Sequence, residues 1–504
     1  MNILARRGRV ALTYLFSLMA ALLAAPSLAI DLWTTWEFAQ ARDPIYATAQ
    51  AGSAADQQLI AQARAQLLPH IYATANLDQH DRRRTRDLGQ GQSSHNNLWA
   101  LSLTQPIFNR QNLRLYEQAQ YLAALAVIDE EQARADLMLR VSRAYFDTLG
   151  AHATLRSLQA QYQATQLQHQ AAVRAFELGS ATITDAQEAQ SRLDLLQAQI
   201  ITAENELQQK YFALERLIGE RPRSLAPLSP EAILPAPEPN DPQQWQHQAG
   251  QNNLGVHRAD LALQAQQAYL EANKSRHDPT LSLQARTGSQ RRTNIHGPAN
   301  QPRTMDSSIG IELSIPIFTG GEISAKVKEE SSRVQQRHFE RENKRREAIE
   351  DTQRFFSRVT SGLLEVHSLE KAEQSSQAAL QANELAYEVG VRVLVDVLNA
   401  QQQLYETQRS LDQARYRVLL DSLELKHAAG ILTDADLWAI NQLLQEEEPV
   451  SIVSGPQKPQ PMGSGSSSNF SSPSNTGNPA NSAGPGYVSE AEYAPPTVWS
   501  SAGE

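Results

Sequence analysis

YEVGVRVLVDVLNAQ (residues 387–401) and FELGSATITDAQEAQ (residues 176–190) carry the same interruption 211 residues apart, sharing Glu, Gly, Asp, Ala and Gln in place. In each, a helix-forming run stops at a glycine, Gly179 or Gly390, and resumes with charge on an otherwise apolar face. Other landmarks keep the interval. Leu103-Thr-Gln-Pro106-Ile-Phe108 answers Leu313-Ser-Ile-Pro316-Ile-Phe318, Leu68-Pro69 answers Asp278-Pro279, and Gly219 answers Gly430, all at 210 or 211 residues. A fixed offset over so many landmarks is the mark of an internal repeat. The chain is therefore read as two structural copies, residues 30–225 and 241–445, joined by a proline-rich linker at 226–240.

Breakers and periodicity order the elements within a copy. Asp43-Pro44 is a helix start, because proline at the first helical position gives up an N–H that would have no partner, and Pro69 stops the helix that begins there. Period-two alternation then predicts a strand hairpin over 71–107. In its second arm Trp99, Leu101 and Leu103 point one way and Ala100, Ser102 and Thr104 the other. The second copy predicts a hairpin over 280–317, with Ile309, Ile311, Leu313 and Ile315 opposite Ser308, Gly310, Glu312 and Ser314. Such alternation fits a half-buried strand of a soluble protein and a membrane barrel strand equally well.

The long runs narrow the choice. Residues 110–178 and 320–389 hold no proline after their first turn and predict single helices; at 1.5 Å per residue each is roughly 100 Å long, beyond an ordinary globular core. Return helices are predicted over 181–218 and 392–429, the glycines making the turns between. A shorter helix before each hairpin and a return helix after each turn have the combined length to lie end to end beside the long one. Stripes such as Leu137, Val141, Ala144 and Tyr145, or Leu404, Leu411, Tyr416 and Leu419, are expected to need covering by other chains.

The rest of the sequence excludes more than it assigns. Residues 1–29 combine Arg6, Arg7 and Arg9, an apolar run from Val10 to Ala25 and small residues before a cut after Ala29, the pattern of a secretory signal peptide. After it no run of about 18 apolar residues occurs, so any membrane crossing falls to strands. There is no cysteine, which removes disulfides, thiolate metal sites and a lipidated N-terminus. A net charge of −10 and the lack of a basic stripe argue against nucleic acid. Residues 446–504, rich in Ser, Pro, Gly and Asn, read as a disordered periplasmic tail. No metal-ligand pair of histidines, nucleophile elbow or phosphate loop is found, so neither an enzyme nor a cofactor is expected.

Asp43-Pro44, AQARAQLLPHI, the strand endings TQPIF and IPIFTGG, the ITD of the first copy and YEVGVRVLVDVLNAQQQLYETQRSLDQARY together resemble the TolC family, the exit ducts of bacterial outer membranes. The resemblance covers the chain up to about residue 445. It implies a protein mainly α with a transmembrane β-barrel, a homotrimer whose 12-stranded barrel sits in outer-membrane lipid and continues as a 12-helix tunnel across the periplasm. Its implied partners are a periplasmic adaptor and an inner-membrane ABC or proton-driven pump, in type I protein secretion, multidrug efflux or both. It further implies a gate at the helix turns, with Arg392 reaching Thr184 and Asp185 of a facing helix pair and Tyr387 directed at Asp185. Asp396 then falls on an acidic constriction ring, while a second ring, acidic in the family, is Asn399 here, with Glu188 at the equivalent place in the first copy. Without the resemblance, Arg392 and Asp396 read as a surface pair and Tyr387 as a packed aromatic. The alternative of another class is a periplasmic coiled-coil scaffold or adaptor that binds but does not conduct.

Overall fold

The computed structural model describes residues 29–82, 92–294, 302–445 and 450–451. The signal-peptide reading, both hairpin tips and most of the tail lie outside these residues. Three helices open the first copy: α1 (Leu32–Arg42), α2 (Pro44–Asp56) and α3 (Gln58–Ala65). Strands β1 (His70–Arg82) and β2 (Gln92–Phe108), helices α4 (Arg110–Glu177) and α5 (Ile183–Ile218), and the short strand β3 (Ser224–Leu225) come next. The second copy runs α6 (Pro242–Asn252), α7 (Leu254–Lys274), β4 (Thr280–Asn294), β5 (Thr304–Ser314), α8 (Glu322–Glu388) and α9 (Leu394–Ala428), then α10 (Asp434–Asn441) and β6 (Val450–Ser451).

The helix expected to run unbroken from Pro44 towards Pro69 is instead divided at Gln57, whereas its counterpart in the second copy, α7, runs unbroken from Leu254 to Lys274. Asn253 starts α7 as Asp43 starts α2: its side chain accepts from Val256 N at 3.2 Å and donates to Ala428 O at 2.8 Å, tying the new helix to α9. Helices α2, α3 and α5 all pack along α4, while α6, α7 and α9 pack along α8. Each 68- or 67-residue helix is thus accompanied by shorter ones laid along it.

The main core lies where the two copies meet α1 and α10. Trp36, Tyr145, Phe146, Leu214, Leu419 and Leu437 pack there in one buried cluster. Tyr145 donates its hydroxyl to Ala226 O at 2.8 Å, and Leu225 bridges to Ile30, so the start of the linker is pinned against this core. Asp43 anchors the same region. It caps α2 by accepting from Tyr46 N at 2.8 Å and receives both terminal nitrogens of Arg140 at 3.1 Å, at 2 % exposure. This overturns one expectation: Leu137, Val141, Tyr145, Leu404, Leu411 and Leu419 are buried within the single chain. The helices laid along α4 and α8, with α1 and α10, cover these stripes. The bare apolar side chains are others, among them Ile201, Phe212, Phe339 and Leu364.

Strands β1, β2, β4 and β5 form one antiparallel sheet in the order β1-β2-β4-β5, leaving β1 and β5 as its edges. The register aligns Ile71, Leu103, Ala285 and Ile309 as one row across all four strands, and Tyr72, Ser102, Arg286 and Ser308 as the next row, on the other face. A one-residue slip would exchange these faces, so the alternation fixes the pairing. The apolar face is not covered by the chain: Ile71, Leu101, Ile309 and Ile311 are all exposed. Gly288 permits the close approach of β4 to β2, since a Cβ there would lie 2.6 Å from Trp99 O. Among the described residues no helix is long and apolar enough to cross a membrane.

Candidate functional site: the two helix turns and the seam above them

The turns that join α4 to α5 and α8 to α9 are built by the same bonds. Gly179 and Gly390 take φ values of 74° and 77°, the left-handed region that glycine enters without a Cβ clash. Beyond them Ser180 N reaches back to Ala175 O and Val391 N to Ala386 O, each at 2.9 Å, satisfying carbonyls that the helix end leaves free.

The copies then diverge. In the first, Thr182 and Asp185 form a capping box: Asp185 Oδ2 accepts from Thr182 N at 3.1 Å and from its hydroxyl at 2.8 Å, while Thr182 Oγ1 accepts from Asp185 N at 3.3 Å. At the equivalent position of the second copy stands Val393, whose side chain makes no cap. Asp396, the counterpart of Asp185, is left free to meet Arg392 at 3.3 Å, one helical turn away. Within one chain, then, Asp185 starts a helix and Arg392 pairs with Asp396, while Thr184 lies exposed on the first turn of α5.

Tyr387 is half-buried. Its ring packs beside Ala172, Ala186, Ala189, Leu394 and Leu398, where the hairpins touch, and beside Leu380, Val397 and Leu404 within its own hairpin. Burial, and then the nearby Asp185 carboxylate, raise its hydroxyl pKa above the ordinary tyrosine value, so the group is a neutral donor throughout the physiological range.

Above the apolar contact lies a residue that the sequence reading passed over. Arg192 of α5 donates Nε to Glu188 Oε1 at 3.1 Å, Nη1 to Gln402 Oε1 at 3.1 Å and Nη2 to Asn399 Oδ1 at 2.7 Å. The structure thus brings Glu188 and Asn399, equivalent positions of the two copies, onto one guanidinium. The only sequence signal was the Glu188–Arg192 spacing of four, which by itself marks an ordinary surface pair. Asp185 had a clearer one, the Thr-x-x-Asp of a capping box. Among the described residues no cluster of His, Asp and Glu is arranged to hold a metal ion.

Two very long paired helices that carry a sheet with a bare apolar face, and that turn back at matched glycines, define the class of outer-membrane channel proteins. Similarity to known proteins places the chain within it. The model of the outer membrane efflux protein family matches residues 37–220 and 245–431, one segment in each copy, and the chain belongs to that family. It is 30 % identical over 437 residues to the alkaline protease secretion protein AprF of Pseudomonas aeruginosa, covering 84 % of this chain and 90 % of that one. It is 28 % identical over 433 residues to the outer membrane protein TolC of Escherichia coli, covering 84 % and 87 %. The crystal structure of VceC from Vibrio cholerae superposes with a TM-score of 0.67 at 19 % identity, covering 79 % of this chain and 96 % of that one. The Campylobacter jejuni CmeC channel gives 0.68 at 16 % identity, covering 82 % and 90 %. The protein is an outer-membrane exit duct with helices in the periplasm, of a family that does not catalyse reactions, and the scaffold alternative falls with that finding.

Proposed function

We propose that three copies of the chain assemble into a 12-stranded barrel continuous with a 12-helix tunnel, closed at the helix turns until a partner opens it. The observation that carries this reading is the four-stranded sheet, apolar and exposed on one face, with two unpaired edges. A closed membrane barrel needs about eight strands or more, and an open edge in lipid leaves backbone groups without partners. Three chains supply the closure. Exposed Ile201, Phe212, Phe339 and Leu364 along the helices supply apolar sides for the same assembly.

The closed entrance would be held by Arg392 against Thr184 and Asp185 of a neighbouring helix pair, with Tyr387 beside Asp185 and Asp396 lining the constriction. Breaking the Arg392 and Tyr387 links would let the second-copy hairpin swing outward. With no nucleotide-binding motif in the sequence, the driving energy would come from an inner-membrane ABC or proton-driven pump, coupled through a periplasmic adaptor. Leu178 and Val391, 84 % and 75 % exposed at the turns, offer such a partner an apolar footing.

Type I protein secretion is the reading of cargo that the relatives favour, since both AprF and the Dickeya chrysanthemi protein PrtF, 28 % identical over 449 residues, are described by protease secretion. Efflux is the second reading, favoured by the family's own description. The assembly is tested by fractionation with heat-dependent migration. The protein should reside in the outer membrane and run as a trimer that heating converts to monomer; a monomer in the soluble periplasmic fraction would overturn the proposal.

A further inference from the structure

Arg192 uses all three guanidinium nitrogens, and two of its bonds cross from the first copy to the second. Near the turns α5 and α9 otherwise meet through Ala186 and Ala189 against Leu394 and Leu398, side chains that slide past one another with little directional preference. A planar fork with fixed donor directions does impose a register. Its side chain is 22 % exposed, so water competes for these bonds only in part.

Charge gives the fork a second consequence. Glu188 is the one carboxylate that Arg192 binds directly, and Asn399 meets it with a neutral amide oxygen. The level of the seam formed by these three residues therefore carries no net charge per chain. A carboxylate at 399 would make it −1. Nearer the turn, Arg392 faces two carboxylates, Asp396 within the chain and Asp185 of the neighbour in the proposed closed form, so that level keeps a negative charge. Asp185, held by the Thr182 cap, and Asp194, held by Gln190 at 2.8 Å, stand nearby with no cation of their own among the described residues of the chain, and neither touches the fork.

We propose that Arg192 is the clasp that latches the return helices of the two copies together at the closed entrance, and that by neutralising Glu188 beside the uncharged Asn399 it lowers the cation selectivity of that entrance. This rests on the reading of the chain as a gated channel. Opening the tunnel then requires releasing a link inside each protomer as well as those between protomers. Selectivity and closure are coupled through one side chain. Removing the guanidinium frees the Glu188 charge and unlatches the helices together, whereas Lys at 192 keeps the charge and loses the fork.

The test uses the purified full-length protein in planar lipid bilayers with a KCl gradient, and La3+ added on the periplasmic side. Arg192→Ala should raise the open fraction at least about fivefold, the low end of a coupling between two states. It should also move the reversal potential towards that of K+ and make the current more sensitive to La3+ than that of the wild type. Arg192→Lys should raise the open fraction without moving the reversal potential. Asn399→Asp should move the reversal potential without raising the open fraction, because a carboxylate still accepts from the fork. Heat-dependent migration as a trimer checks that each variant has folded, and the last two variants keep the test alive if Arg192→Ala does not. Wild-type open fraction, reversal potential and La3+ response in folded Arg192→Ala would overturn the proposal. Absence of any channel from the wild-type protein would instead overturn the channel reading on which it rests.

Discussion

Arg140→Ala removes the cation from a carboxylate, Asp43, that is 2 % exposed. In the native chain both Asp43 oxygens accept from the Arg140 fork at 3.1 Å, and one also accepts from Tyr46 N to start α2. The variant leaves a desolvated charge with backbone donors alone. Breaking a buried pair from one side costs about 3–5 kcal/mol, and the low end applies because Arg140 is itself 30 % exposed. Asp43→Ala loses the cap, worth about 1 kcal/mol, together with the pair, but the freed arginine can hydrate. Asp43→Asn keeps an acceptor for the cap and removes the charge that needed a partner, at a cost of about 1–2 kcal/mol. The predicted order of destabilisation is Arg140→Ala, Asp43→Ala, Asp43→Asn. Helical circular dichroism melts in detergent read it, at one fixed protein concentration because the Tm of an assembly depends on it. For a folded chain of this size each kcal/mol moves Tm by about 1 °C, so Arg140→Ala should fall by about 3 °C. Burial raises the Asp43 pKa, but the Arg140 hydrogen bonds, the Tyr46 N–H and the arginine charge outweigh it and leave the pKa lowered. The stabilisation is then complete above the unfolded-state value and is lost as pH falls through the folded-state one. Asp43→Asn should accordingly show a shallower loss of stability below about pH 4. If it destabilises as much as Arg140→Ala at neutral pH, the assignment of the cost to an unpaired buried charge is wrong.

Two further substitutions probe the sheet and the turns. Gly288→Val should block barrel formation, because its Cβ would press on the β2 backbone at Trp99; loss of the outer-membrane trimer is the readout, and a normal trimer yield would contradict the close approach. Gly390→Ala forces a side chain into positive φ at a cost of about 1–2 kcal/mol, and should speed proteolytic nicking at the turn without changing the Tm of the main core.

What the sequence disclosed depended on how far apart the interacting residues lie. The proline-free stretches marked α4 and α8 almost to their ends, and period-two alternation marked β2 and β5, because those signals are local. Thr433 and Asp436 carry the local signature of a capping box, which starts α10 just beyond the return helix predicted to end at 429. The stripes along α4 and α9 were correctly apolar but wrongly assigned to contacts with other chains, since nothing in Leu137 or Leu411 says whether its cover comes from within. Arg192 was the least legible. Its partners Asn399 and Gln402 lie 207 and 210 residues away, and only the fold brings the two return helices close enough for one side chain to span them.

The most direct measurement is the single-channel conductance of the full-length protein in planar bilayers, wild type against Arg392→Ser combined with Tyr387→Phe. The wild type should insert as a stable pore of low conductance, and the double variant should conduct several-fold more because its entrance is no longer held shut. Equal conductance from two well-folded trimers would contradict a gate at the helix turns, and a wild-type protein that forms no pore would contradict the exit duct itself.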